Sequence, residues 1–273
     1  MSDAYRLQEH IDLWRQMVAE NVALLRELDA EDWAKPTDLP GWNVRYIAAH
    51  LAHLESELAG NPQSQIDVPE APHIKSGMGV FTESGPLARA DWTTDQIIEE
   101  LESSAAKRDD ALRAMMPLDP TAPGDGFAAG VGWDWATLLS NRVLDQWMHQ
   151  QDIRRAIGRP GGLAGPGGAH ALALFARSIP FVVGKRVAPP PGTTVVLDIT
   201  GEHHATLAAG IGEDGRAARL EAAPAEPNAH ISMDFETFIV LSGGRRTPDQ
   251  VKTVVTGDTD LGAAVLENLA VTP

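Results

Sequence analysis

Cysteine is absent from the chain. That excludes a disulfide framework, a cysteine-ligated zinc ribbon and a cysteine nucleophile, so any thiol chemistry must bring its thiol on a small molecule. Basic residues are also scarce. Lys and Arg number 22 against 38 Asp and Glu, a formal charge of −16 and a pI near 4.9. Such a surface repels nucleic acid and anionic membranes. No stretch reads as long and apolar enough to cross a bilayer. The opening residues MSDAYRLQEHIDLW hold acidic side chains and no apolar core, which predicts no signal peptide. These exclusions predict a cytoplasmic protein. Aromatic residues are only 5% of the chain, and all seven Trp lie at or before Trp147.

What is present suffices for two domains: 273 residues, 43% of them hydrophobic. Leu7, Ile11, Trp14, Val18, Val22 and Leu25 recur at helical spacing and predict a helix over Asp3–Leu28. A connector with Pro36 and Pro40 follows. In LPGWN, Asn43 is an N-cap for a second helix, Val44–Leu58, ended by Gly60 and Pro62. Asn61–Trp92, rich in Pro and Gly, is longer than a plain connection needs and reads as a lid, a binding loop or a surface excursion. Thr94–Met115 reads as a third helix capped by Thr94. After a Pro/Gly-rich loop, Asp134 caps a fourth helix that runs through SNRVLDQWMHQQDIRRAIG.

The run GRPGGLAGPGG places a boundary between residues 1–160 and 161–273. Beyond it, Ala169–Val183 predicts a helix interrupted near Pro180. TTVVLDIT, HATLAAGI, RAARLEAA and AHISMD predict strands, the second and third joined by a turn at Asp214 and Gly215. FETFIVLSG reads as helix, Thr247 and Pro248 as a new helical start, VKTVVTGD as a last strand and Asp258–Leu269 as a closing helix. The expected class is α+β, with a helix bundle preceding a small mixed layer.

The fourth helix carries the chemistry. Asp145 and His149 stand four residues apart and leave one face, a spacing at which carboxylate and imidazole can share a cation. His50 sits beside the apolar stripe of the second helix. The three are expected to converge on one divalent ion inside the bundle. The alternative is a solvated helix face, with Asp145 paired to Arg142. His53, one turn from His50, is open to a role as fourth ligand but reads rather as a residue behind the ligands or at the surface. Asp152 reads either as the acceptor of an imidazole N–H from His149 or as the partner of Arg155.

LPGWNVRYIAAHLAH and RVLDQWMHQQDIRRAIGRP resemble the DinB/maleylpyruvate-isomerase group of metal-binding four-helix bundles. SGGRRTPDQVKTVVTGDTDLGAAVLENLAVTP and the hairpins before it resemble the small C-terminal α+β domain of actinobacterial, mycothiol-dependent members. In that family a histidine of the second helix and a Glu-x-x-x-His of the fourth hold a divalent metal, usually zinc. The resemblance lays those roles on His50, Asp145 and His149, with Asp145 one methylene shorter than the usual Glu. It implies a metal-dependent, mycothiol-dependent isomerase or thiol S-transferase. Its thiolate would add to an activated double bond, allow rotation and leave again. Arg245 and Arg246, in a Gly-flanked loop, are candidates for a substrate carboxylate or a cofactor's polar groups, or are ordinary surface arginines. The implied partners are a small-molecule thiol and an electrophilic substrate, with neither nucleic acid nor membrane, on a monomer or dimer. Two other readings remain open: a metal-assisted hydrolase, and a non-catalytic small-molecule-binding or regulatory protein with a degenerate site.

Overall fold

The computed structural model describes residues 3–116 and 118–272, with side chains from Leu7 onward. It divides into two compact units, Met1–Gly161 and Gly162–Pro273. In the first, α1 (Asp3–Arg26) leads through a short α2 (Ala30–Ala34) to α3 (Val44–Leu58), α4 (Gly77–Ala88), α5 (Thr94–Met115), a single turn α6 (Phe127–Gly130) and α7 (Trp135–Ile157). The long helices α1, α3, α5 and α7 form the four-helix bundle, in which each touches two others. Its core is built from the periodic apolar positions: Trp14, Ile47, Leu51, Leu101, Val143, Trp147 and Ile153 are all at most 1% exposed.

Capping fixes where the site-bearing helices begin. The Asn43 side chain accepts the Tyr46 N–H at 2.8 Å, and Asp134 accepts that of Thr137 at 2.7 Å, each cap contributing about 1 kcal/mol. Gly158 closes α7 in the left-handed region, at φ 67°, where a side chain is disfavoured. Helix α5 is capped one residue earlier than expected, by Thr93, which forms a reciprocal capping box with Gln96.

The segment expected to be a loop holds α4, started by the Ser76 hydroxyl accepting from Gly79 N–H at 3.1 Å. One of its glycines serves packing. At Gly85 an added Cβ would lie 2.3 Å from the His53 ring, so only a bare backbone lets α4 approach α3 this closely. The connector after α1 likewise holds the five-residue α2, capped by Asp29.

The second unit comprises α8 (Pro166–Phe181), continued by a π-helical turn over Val182–Val187, then β1 (Thr194–Thr200), β2 (Ala205–Ile211), β3 (Ala217–Arg219), β4 (Ala229–Asp234), α9 (Phe235–Ser242), β5 (Val254–Gly257) and α10 (Thr259–Glu267). The strand order is β3-β2-β1-β4-β5. Only the central β1–β4 pair is parallel. Alternate residues Val195, Leu197, Ile199, Ile231 and Met233 are buried, as period-two patterning requires. The third strand is shorter than RAARLEAA predicts, pairing only through Ala217–Arg219. Contrary to the sequence reading, Pro166–Val187 is long and apolar enough to cross a membrane by length and composition. Within the unit its Phe175, Ile179, Val182 and Val183 are buried.

Candidate metal centre

Helices α3 and α7 are neighbours in the bundle, and their contact brings His50 against Asp145 and His149. One ligand atom from each lies within 4.8 Å of the other two. The Asp145 Oδ1 stands 3.6 Å from His50 Nε2 and 3.6 Å from His149 Nε2. That spacing is too long for hydrogen bonds. It is close to the edge, about 3.4 Å, of a tetrahedron of ligands with zinc bonds of about 2.0–2.1 Å. Both imidazoles are buried, whereas the Asp145 side chain keeps 20% exposure and gives the cluster one side toward solvent.

The protonation states suit a cation. Burial pushes the Asp145 carboxyl up. The Arg142 guanidinium, helped by the two imidazoles, overrides burial and holds it far below the usual carboxylate range. Burial pushes His50 down by more than Asp145 pulls it up, which leaves a neutral ring with a free lone pair. His149 Nδ1 lies 3.1 Å from Asp152 Oδ2, which fixes the N–H there and turns Nε2 toward Asp145. His50 lacks such an anchor: its Nδ1 is buried without a hydrogen-bond partner among the described residues. The donor set and its spacing thus fit a divalent ion.

Asp145 and Asp152 each divide their two oxygens between different partners. Asp145 Oδ2 accepts from Arg142 Nη1 at 3.0 Å while Oδ1 faces the imidazoles. Asp152 meets His149 through Oδ2 and Arg155 through Oδ1. Arg155 also holds Asp38 at 2.9 Å, so it keeps a carboxylate partner without Asp152. Asp152→Asn is therefore expected to keep the fold and weaken zinc affinity by about 10–100-fold. Calorimetric zinc titration measures it, and an unchanged affinity would contradict the orienting role.

His53 is not at the surface. It is 4% exposed, with Nδ1 3.0 Å from Gln63 Oε1 and its ring 5.3 Å from that of Phe81. Burial, then the nearby Arg89, pushes its pKa down to about 4 from 6.5. A folded pKa below the unfolded one makes its contribution to stability complete above pH 6.5 and lost as pH falls toward 4, about 3 kcal/mol in all. Urea unfolding of chelator-treated protein should show this slope in the parent and a flatter one in His53→Gln. Equal slopes would count against it.

Arg245 and Arg246 lie in the second unit, just after α9. Their backbone N–H groups donate to the Val240 carbonyl at 2.8 and 3.3 Å, and Arg245 Nη1 donates to the Gly243 carbonyl at 2.6 Å. The His50 cluster belongs wholly to the first unit.

Three residues around the cluster escaped the sequence reading. The Trp42 ring lies 5.0 Å from that of His50 and stacks on that of His149 at 5.9 Å and 19°. Its indole N–H donates to Glu83 Oε1 at 2.7 Å, and the same carboxylate accepts from Tyr46 OH at 2.7 Å and meets His73 Nε2 at 2.8 Å. Glu83 belongs to α4, read as a loop. The third is Glu55, fully buried, whose carboxylate accepts from Trp14, Arg108, Arg142 and Gln146. A signal for Glu55 existed: it falls four residues after Leu51 on the apolar stripe of α3.

Residues 14–154, just over half of the chain, match the family model of the mycothiol maleylpyruvate isomerase N-terminal domain. The chain belongs to this family. Among solved structures, a mycothiol-dependent maleylpyruvate isomerase aligns with 93% of this chain and 95% of its own, at 19% identity and a TM-score of 0.55. A variant of such an enzyme with one histidine replaced by alanine aligns over the same shares at 19% identity and a TM-score of 0.50. At that identity the likeness carries the fold, a bundle followed by an α+β layer. No curated protein matches the chain. The candidate ligands come from the second and fourth long helices of the bundle.

Proposed function

We propose that this family member is a metal- and mycothiol-dependent enzyme that isomerises, or transfers the thiol to, a small electrophilic substrate. The observation that carries the reading is the geometry at Asp145: one carboxylate oxygen is equidistant from two imidazole nitrogens, at 3.6 Å, in a chain with no thiol of its own.

His50, Asp145 and His149 would hold the ion, zinc being the natural occupant of an N/N/O donor set. Such an ion lowers the pKa of a thiol, so that the sulfur reacts as thiolate. The chain's own residues do the rest. Asp152 keeps the His149 proton on Nδ1, and Arg142 occupies Asp145 Oδ2. Trp42 lies against both imidazoles and keeps water from that side. Glu83 holds the indole in place. Isomerisation needs no base to be consumed, because the thiol that adds to the double bond is released unchanged. Arg245 and Arg246 are proposed to meet the substrate's carboxylate or the thiol's polar groups.

The test is turnover of maleylpyruvate by zinc-loaded protein with and without mycothiol. Turnover that requires the thiol supports the proposal. Thiol-independent hydrolysis of an ester or amide would favour water as the nucleophile. No turnover of any electrophile by the loaded protein would count for a binding role.

A further inference from the structure

We propose that Arg142 is a positioning residue that restricts Asp145 to a single ligating oxygen and cancels its charge, thereby keeping a coordination position and positive charge for an incoming anionic thiolate. The inference rests on the metal reading above.

Arg142 is fully buried on α7, one turn before Asp145 on the same face. Its Nη1 donates to Asp145 Oδ2 at 3.0 Å, whereas Oδ1 is left facing the two imidazoles. The guanidinium cannot swing away. Its Nη2 and Nε both donate to Glu55 Oε1, at 2.8 and 3.3 Å. Glu55 is itself fixed: Trp14 Nε1 donates to Oε1 at 3.0 Å, Gln146 Nε2 to Oε1 at 2.9 Å and Arg108 Nη1 to Oε2 at 2.9 Å. The line from the bundle core to the ligand therefore runs through side chains on all four long helices. A carboxylate free at both oxygens can bind an ion through both and fill a position that substrate needs. Here one oxygen is already committed.

The charges point the same way. Glu55 and Asp145 are matched by Arg108 and Arg142, so the buried network is neutral without an ion. With Arg142 balancing Asp145, a dication held at Oδ1 keeps more of its charge, and the low-dielectric surroundings favour a ligand that arrives negative. Asp145 would otherwise remove half of that charge.

The experiment loads the parent and Arg142→Met with Co²⁺ and titrates 2-mercaptoethanol, reading the sulfur-to-cobalt absorption. The parent should take up cobalt and develop the band. Arg142→Met should hold cobalt at least as tightly, having lost a neighbouring positive charge, yet need at least about ten-fold more thiol for the same absorbance. An equal thiol response in the two proteins overturns the proposal. So does a folded Arg142→Met that no longer holds cobalt, since that is what a merely structural residue would give. If the variant does not fold, the zinc-loaded parent decides: a crystal structure with only Oδ1 on the ion supports the proposal, and one with both oxygens on it overturns it. A parent that takes up neither metal fails the metal reading itself, a result distinct from any of these.

Discussion

Glu55→Ala is expected to lower the unfolding free energy by roughly 3–5 kcal/mol, the loss seen when one partner of a buried ion pair is removed. Glu55 is wholly inaccessible, and its carboxylate lies between two guanidinium groups that are also buried. Burial pushes its pKa up, but Arg142 and Arg108 reverse this and bring it down to about 2. It is thus charged at neutral pH. Alanine would leave Arg108 without its carboxylate and Arg142 with Asp145 alone. It would also strip an acceptor from Trp14 and Gln146, which costs more per group than a simple lost hydrogen bond. Urea unfolding monitored by circular dichroism measures the loss. A change below about 1 kcal/mol, the range of exposed pairs, would show that the network does not anchor the bundle.

His149→Ala is expected to leave the fold near its parental stability and to reduce zinc affinity by more than about 100-fold, beyond the span typical of residues that only orient a ligand. Thiol-dependent turnover should fall with it. The separation from Glu55 follows from packing. Glu55 ties all four long helices together, whereas His149 faces Asp145 and the Trp42 ring at the edge of the core. Calorimetry with zinc, beside a thermal melt of the apo protein, checks both halves. Parental zinc affinity in the variant would remove His149 from the ligand set.

The bundle helices were legible because their signals are local. Asn43, Asp134 and Gly158 mark α3 and α7 to the residue, and the apolar spacing of three and four places their inward faces. The Asp145–His149 pair was legible for the same reason, as a spacing on one helix. His50 was legible only as a histidine beside an apolar stripe, since nothing local says which helix will lie opposite. What was not legible depends on tertiary partners. Gly85 and its neighbours read as loop because glycine disfavours helix, and only the His53 ring packed against Gly85 explains why no side chain stands there. Glu83 went unread with them. Glu55 lay on the apolar stripe in plain view, but one buried carboxylate predicts a partner without naming it, and its two arginines are 53 and 87 residues away. Asp145 shows the same limit: only the structure reveals that pairing to Arg142 through Oδ2 leaves Oδ1 facing the two imidazoles.

The central claim is that His50, Asp145 and His149 form a divalent metal site. Its most direct test is the metal content of the purified protein, by elemental analysis beside Asp145→Ala. The account predicts near-stoichiometric metal, zinc foremost, in the parent and its loss in the variant. A parent that emerges metal-free and takes up no zinc on titration, or a variant that keeps its metal, would contradict it.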